Sequence, residues 1–185
     1  AVRVDMYRVL IVDSHPIIRA ALRSLLENEG LQVVGEEGSG ADAIKRAKEI
    51  SPDLVLLDIL LPDTDGFRVI ESLLKSNQNM RLLAFTSLTP RFYSSRAMVA
   101  GASGYVCKTE SSTRLINALK AIMSGHTFFP ENVFGSACFC ANINDEAVLI
   151  DKLSNRELFI LKQLSSGYSS QEISKRLQLS AKTVS

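Results

Sequence analysis

Five short apolar runs recur along the first 125 residues, each followed by a stretch whose apolar side chains fall at helical spacing. No other feature of the chain restricts the fold as much. Arg8–Val12, Leu31–Gly35, Asp53–Leu57, Arg81–Phe85 and Gly104–Cys107 are predicted strands. They are nearly continuous in apolar residues, as strands covered on both faces are. Pro16 opens a first helix with Ile17, Ala21, Leu22, Leu25 and Leu26 at core spacing, and Gly30 stops it. Gly38-Ser39-Gly40 turns into a second, with Ala43, Ile44, Ala47 and Ile50 on one face and Pro52 at its end. Phe67–Ser76 is a third, burying Val69, Ile70, Leu73 and Leu74. Pro90–Ala100 is a fourth, closed by Gly101. Ser111 or Ser112 caps a fifth, which carries Leu115, Ile116, Leu119, Ile122 and Met123 and ends at Gly125. Strand–helix units joined by right-handed crossovers build an α/β fold, a five-stranded doubly wound parallel sheet. The common order for five strands is 2-1-3-4-5, with the ligand site beyond the strand C-termini where strands 1 and 3 diverge.

The strand ends carry the chemistry. Asp13 follows strand 1 and Asp58 follows strand 3, so two carboxylates should converge at the switch point. Strands 4 and 5 bring Thr86 and Lys108 to the same edge. After Asp58, Pro62 delays the next helix and Asp65-Gly66 makes the turn into it. Paired carboxylates favour a hard divalent cation, and Mg²⁺ suits a site with few protein ligands and phosphate oxygens. A carboxylate can also attack phosphorus to form an acyl phosphate. Lys108 would then pair with a phosphoryl oxygen, and the Thr86 hydroxyl would donate to another. The plainer alternative is a buried Asp–Lys pair that only fixes the fold.

The last 34 residues differ in charge from the rest. Residues 152–185 hold six Lys or Arg side chains against Glu157 and Glu172, a net +4 within a chain of net +1. A basic tail on an acidic larger part points to a polyanionic partner. Ser154-Asn155-Arg156-Glu157 and Ser169-Ser170-Gln171-Glu172 are capping-box patterns opening two short helices, and Ser180 caps the start of a third. Two short helices and a tight turn make a helix-turn-helix, with Lys182 and Thr183 at the N-terminal end of the recognition helix. The reading is an α/β domain at 6–125, a linker at 126–151 and a small all-α DNA-binding domain at 152–185, cut short within its recognition helix. The linker's Phe128, Phe129, Phe134 and Phe139 suggest that part of it packs on a domain.

Three cysteines, Cys107, Cys138 and Cys140, suit a reducing cytoplasm better than a disulfide framework, and Cys138-Phe-Cys140 lacks a second ligand pair for a metal. No apolar run nears the roughly 18 residues of a membrane span, and no signal peptide is evident, so no membrane association is expected. Ala1–Asp5 read as a remnant ahead of a natural start at Met6.

Val12-Asp13-Ser14-His15-Pro16, Asp58 with Pro62 and Asp65-Gly66, Thr86, and Gly101-Ala102-Ser103-Gly104-Tyr105-Val106-Cys107-Lys108 resemble a response-regulator receiver domain, a flavodoxin-like fold. Leu153 through Glu157, Gly167, Glu172-Ile173 and Lys182-Thr183-Val184-Ser185 resemble the LuxR-type helix-turn-helix. Together they are similar to the NarL/FixJ family of two-component regulators. The resemblance implies that Asp58 accepts phosphate from a sensor histidine kinase and that Lys108 contacts the phosphoryl group. It implies that Thr86 and Tyr105 form the switch, and that Mg²⁺ is held by Asp13, Asp58 and the backbone carbonyl of Leu60. Dimerisation and binding to double-stranded DNA would follow. With the recognition helix incomplete, these 185 residues are expected to bind DNA weakly, and a longer natural chain to bind paired half-sites as a homodimer.

Two positions depart from that pattern. Ser14 stands where the family usually has a second acid that ligates Mg²⁺, so Mg²⁺ affinity should fall and phosphorylation should slow or fail. Thr109 replaces the frequent proline after Lys108, so no cis Lys–Pro bond applies. Leu60 and Leu88, two residues after Asp58 and Thr86, cannot orient a hydrolytic water, so self-dephosphorylation should be slow. One alternative is a regulator switched without phosphate at a degenerate pocket. Another is a dinucleotide enzyme, because Gly38-Ser39-Gly40-Ala41-Asp42-Ala43 matches a Gly-x-Gly-x-x-Ala turn. That motif follows strand 2 rather than strand 1. Beyond receiver self-phosphorylation and self-dephosphorylation, no enzymatic activity is expected.

Overall fold

A computed structural model describes residues 6–130. The elements alternate without exception: β1 (Arg8–Val12), α1 (Pro16–Asn28), β2 (Gln32–Glu37), α2 (Gly40–Ile50), β3 (Leu54–Leu57), α3 (Gly66–Ser76), β4 (Arg81–Thr86), α4 (Pro90–Ala100), β5 (Gly104–Cys107) and α5 (Ser112–Met123). The sheet runs β2-β1-β3-β4-β5 with every pairing parallel, the order the sequence predicts. The helix-turn-helix with Lys182 and Thr183, the linker past residue 130, and Cys138 and Cys140 lie outside the described residues.

Alternation along the strands divides the core. Val9, Ile11, Leu54, Leu56, Leu83 and Val106 pack with Leu22 and Leu26 of α1 and with Leu115, Leu119 and Ile122 of α5. Leu10, Val55, Leu57, Leu82 and Ala84, the intervening residues, are equally buried and take the opposite face. There α2 neighbours α3 and α3 neighbours α4. The three central strands thus carry unbroken apolar runs, Val9–Val12, Leu54–Leu57 and Leu82–Phe85, because both faces are covered.

Helix α1 sits in a different phase from the expected one. Ile17 is 83% exposed and Ala21 is exposed too, while Ile18 packs against the core. Two adjacent isoleucines left the phase open, and the pull of Leu22 and Leu26 decided it. Ile17→Ser should therefore change stability by less than about 0.5 kcal/mol, whereas Leu26→Ala should cost about 3 kcal/mol through the cavity it leaves. Urea denaturation of the two variants checks this.

The start of the linker is bound to the sheet. Phe128 N–H donates to Ser103 O and Phe128 O accepts from Tyr105 N–H, both at 2.9 Å. This adds a parallel bridge outside β5. Phe128 packs on the α1–α5 side of the core, and the Arg114 guanidinium lies 5.0 Å from its ring centroid. A Cβ at Gly104 would come within 2.8 Å of Phe128 O, so glycine there permits the contact. The bridge covers part of an edge that would otherwise present unpaired backbone groups.

Candidate functional site

Parallel strands that end together bring their next residues together. Asp58 N–H donates to Val12 O at 2.8 Å, and Lys108 N–H donates to Thr86 O at 2.8 Å. These bonds extend the β1–β3 and β4–β5 ladders by one step and fix where the side chains begin. Asp13 and Asp58 are 1% and 2% exposed. Lys108 Nζ bridges them, 2.5 Å from Asp13 Oδ2 and 2.7 Å from Asp58 Oδ2. The ring of Phe85 flanks the ammonium at 6.0 Å.

The remaining carboxylate oxygens are held by the backbone. Asp13 Oδ1 accepts from His15 N–H at 2.8 Å, and Asp58 Oδ1 accepts from Leu60 N–H at 3.0 Å. Burial pushes the Asp13 carboxyl up, but the Lys108 ammonium and the His15 donors outweigh it and leave it below the usual carboxylate range. Burial pulls Lys108 down, and its bonds to Asp13 and Asp58 outweigh that and raise it. Two anions and one cation leave the pocket one negative charge in excess.

Thr86 is fully buried, and its Oγ1 has no hydrogen-bond partner among the described residues. A buried hydroxyl without a partner is costly, and at this strand end it fits an oxyanion that the pocket would receive. Tyr105 is also fully buried and donates its hydroxyl to Leu88 O at 2.8 Å. Burial, chiefly, holds that phenol far above its ordinary range. The hydroxyl is thus tied to the loop that follows Thr86. Leu88 is buried and Leu60 partly so, and neither offers a polar side chain.

One atom each from Asp13, His15 and Asp58 lies within 4.8 Å of the others, a grouping able to hold a metal ion. The Ser14 hydroxyl lies 3.4 Å from His15 Nδ1. The sequence names His15 only within the Val12–Pro16 motif and gives it no ligand role. The available signal was its place two residues after Asp13, where a turn folds the ring back onto the carboxylate, 3.0 Å from Oδ1.

The glycine-rich turn before α2 serves a different purpose from nucleotide binding. Asp63, from the loop after β3, accepts from Gly40 N–H at 2.8 Å and Ala41 N–H at 3.0 Å. Ser39 Oγ accepts from Asp42 N–H. The donors that a pyrophosphate would need are already engaged by the protein's own side chains. Burial raises the Asp63 carboxyl, and the two N–H donors outweigh it and depress it.

Among the described residues no helix is long and apolar enough to cross a membrane. Residues 9–120 match the response regulator receiver domain, and residues 151–185 match the bacterial regulatory proteins of the luxR family. The chain is 42% identical over 178 residues to the virulence factors putative positive transcription regulator BvgA of Bordetella pertussis, covering 96% of this chain and 85% of that protein. A LuxR-family two-component response regulator from Aurantimonas superposes with a TM-score of 0.67 at 30% identity, over 72% of this chain and 96% of that one. RcsB from Salmonella enterica serovar Typhimurium, bound to promoter P1flhDC with the phosphomimetic BeF3-, gives 0.66 at 26% identity, over 97% of this chain and 87% of that one. With the 2-1-3-4-5 sheet and the acid pair at its switch point, these likenesses place the chain in the NarL/FixJ family of two-component response regulators, transcription regulators that join a receiver to a LuxR-type DNA-binding domain.

Proposed function

We propose that Asp58 is the phosphoacceptor of this regulator and that a sensor histidine kinase is its donor. A carboxylate oxygen of Asp58 attacks the phosphorus of a phosphohistidine, the P–N bond breaks, and the imidazole leaves with the bonding pair. The product is an acyl phosphate on Asp58. The observation that carries the reading is Thr86 Oγ1, buried and without a partner beside the Lys108-bridged acids. Its hydroxyl would donate to one phosphoryl oxygen, while Lys108 moves its ammonium from the carboxylates to another.

A Mg²⁺ ion held by Asp13, Asp58 and the Leu60 carbonyl would neutralise charge on the transferring group. The donor set of buried carboxylate oxygens fits a hard cation. Drawing Thr86 towards the phosphoryl group would shift the loop to which Tyr105 is tied through Leu88. Tyr105 is then the element with two packed positions, in and out, through which a small shift becomes a surface change.

That change controls homodimerisation and DNA binding by the tail, with Lys182 and Thr183 at the groove. The corresponding domains are 6–125 and 152–185 joined by 126–151, acting in the cytoplasm. The apolar side chains of Leu60 and Leu88 make self-dephosphorylation slow. Incubation of the 185-residue chain with acetyl phosphate and Mg²⁺ or Mn²⁺, read by intact mass, should add one phosphoryl group to the wild type and none to Asp58→Asn. No added mass from either acetyl phosphate or the cognate kinase would overturn the reading.

A further inference from the structure

We infer that His15 is a ligand of the divalent cation at this site, occupying the role left open by Ser14, and that it shifts the site from Mg²⁺ towards a first-row transition ion such as Mn²⁺. The inference rests on the proposed reading of Asp13 and Asp58 as the pair that holds the cation.

The geometry suits coordination. His15 Nδ1 lies 3.0 Å from Asp13 Oδ1. Neighbouring ligands of an octahedral ion with bonds of about 2.1 Å stand about 3 Å apart. Asp58 completes a set whose ligand atoms lie within 4.8 Å of one another. The same Asp13 oxygen already accepts the His15 backbone N–H at 2.8 Å, so a ring N–H is not needed to satisfy it. Lys108 holds the Oδ2 atom of each acid, which leaves the Asp13 Oδ1 side facing the imidazole. The His15 side chain is 66% exposed, so an ion can reach the ring from solvent while the two carboxylates stay buried.

The chemistry then follows from ligand type. Mg²⁺ prefers carboxylate, carbonyl and water oxygens, whereas imidazole nitrogen suits transition ions better. Exchanging an acid for a hydroxyl at residue 14 takes a hard ligand from Mg²⁺. An imidazole beside it adds a donor from which Mn²⁺ gains more.

Titration of the 185-residue protein with Mn²⁺ alone and with Mg²⁺ alone, by calorimetry, tests this in the wild type, His15→Ala and Ser14→Asp. His15→Ala should weaken Mn²⁺ binding at least about tenfold and Mg²⁺ binding less than about twofold. Electron spin-echo spectra of bound Mn²⁺ should carry a ¹⁴N coupling in the wild type that His15→Ala removes. Equal weakening of both ions, or a wild-type spectrum without nitrogen coupling, would overturn the inference. Ser14→Asp should raise Mg²⁺ affinity whatever His15 does. Its failure to do so would instead overturn the underlying cation-site reading, and the inference with it.

Discussion

The Lys108→Met variant is expected to lose about 3–5 kcal/mol of stability near neutral pH, because it strands two buried carboxylates without their cation. Asp13 and Asp58 are almost fully buried, and the ammonium bonds both. Methionine matches the length of the lysine stem but replaces no charge.

The pH dependence separates this from loss of packing. In the wild type Asp13 titrates below its ordinary value, so its contribution is complete above about pH 4 and is lost as pH falls through the depressed folded value. Lys108 titrates above its ordinary value, so its share is complete below about pH 10 and is lost as pH rises through the folded value. In the variant, burial and mutual repulsion favour protonated carboxyls in the folded state. Its stability should therefore rise as pH falls from 7 towards about 4, and the gap to the wild type should narrow. Urea denaturation across that range, with Asp13→Asn added to the variant, measures it. A gap that stays constant with pH, and is untouched by Asp13→Asn, would mean that packing and not charge was lost.

The same pocket shows which parts of the molecule are legible in a sequence. Strand β5 and helix α4 fall where Pro90, Gly101 and Gly104 put them, because prolines and glycines mark ends locally. Strand β2 runs on to Glu37, two residues past the expected end. It is an outer strand, so Glu36 and Glu37 can pair with β1 while staying half-exposed, and polarity no longer marks the boundary. The convergence of Asp13, Asp58, Thr86 and Lys108 follows from strand order alone. Asp63 on the N-terminus of α2 does not, since its partners are 22 and 23 residues away and no period links them. Nor does the lone hydroxyl of Thr86, which depends on what every neighbour fails to offer.

Gly66 looked like a turn residue beside Asp65, yet its φ is not positive, and the reason for glycine lies elsewhere. A Cβ there would lie 2.5 Å from both Cα and O of Ile59. Helix α3 starts against the backbone that carries Asp58, with Gly66 N–H donating to Ile59 O at 3.2 Å. In Gly66→Ala, helix propensity would return up to about 1 kcal/mol, but displacing backbone costs more, about 3 kcal/mol. The loop must move, and it takes with it the Leu60 N–H that holds Asp58 Oδ1. Labelling by acetyl phosphate should then slow by about tenfold or more, as misplacement of a reacting group by an ångström does. Gly125→Ala is the control. Nothing lies within 4 Å of its Cβ, and only its φ of +87° opposes the change, at about 1 kcal/mol. It should lose that stability and label at the wild-type rate. If Gly66→Ala also labels at the wild-type rate, the contact with Ile59 supports the fold and has no part in placing Asp58.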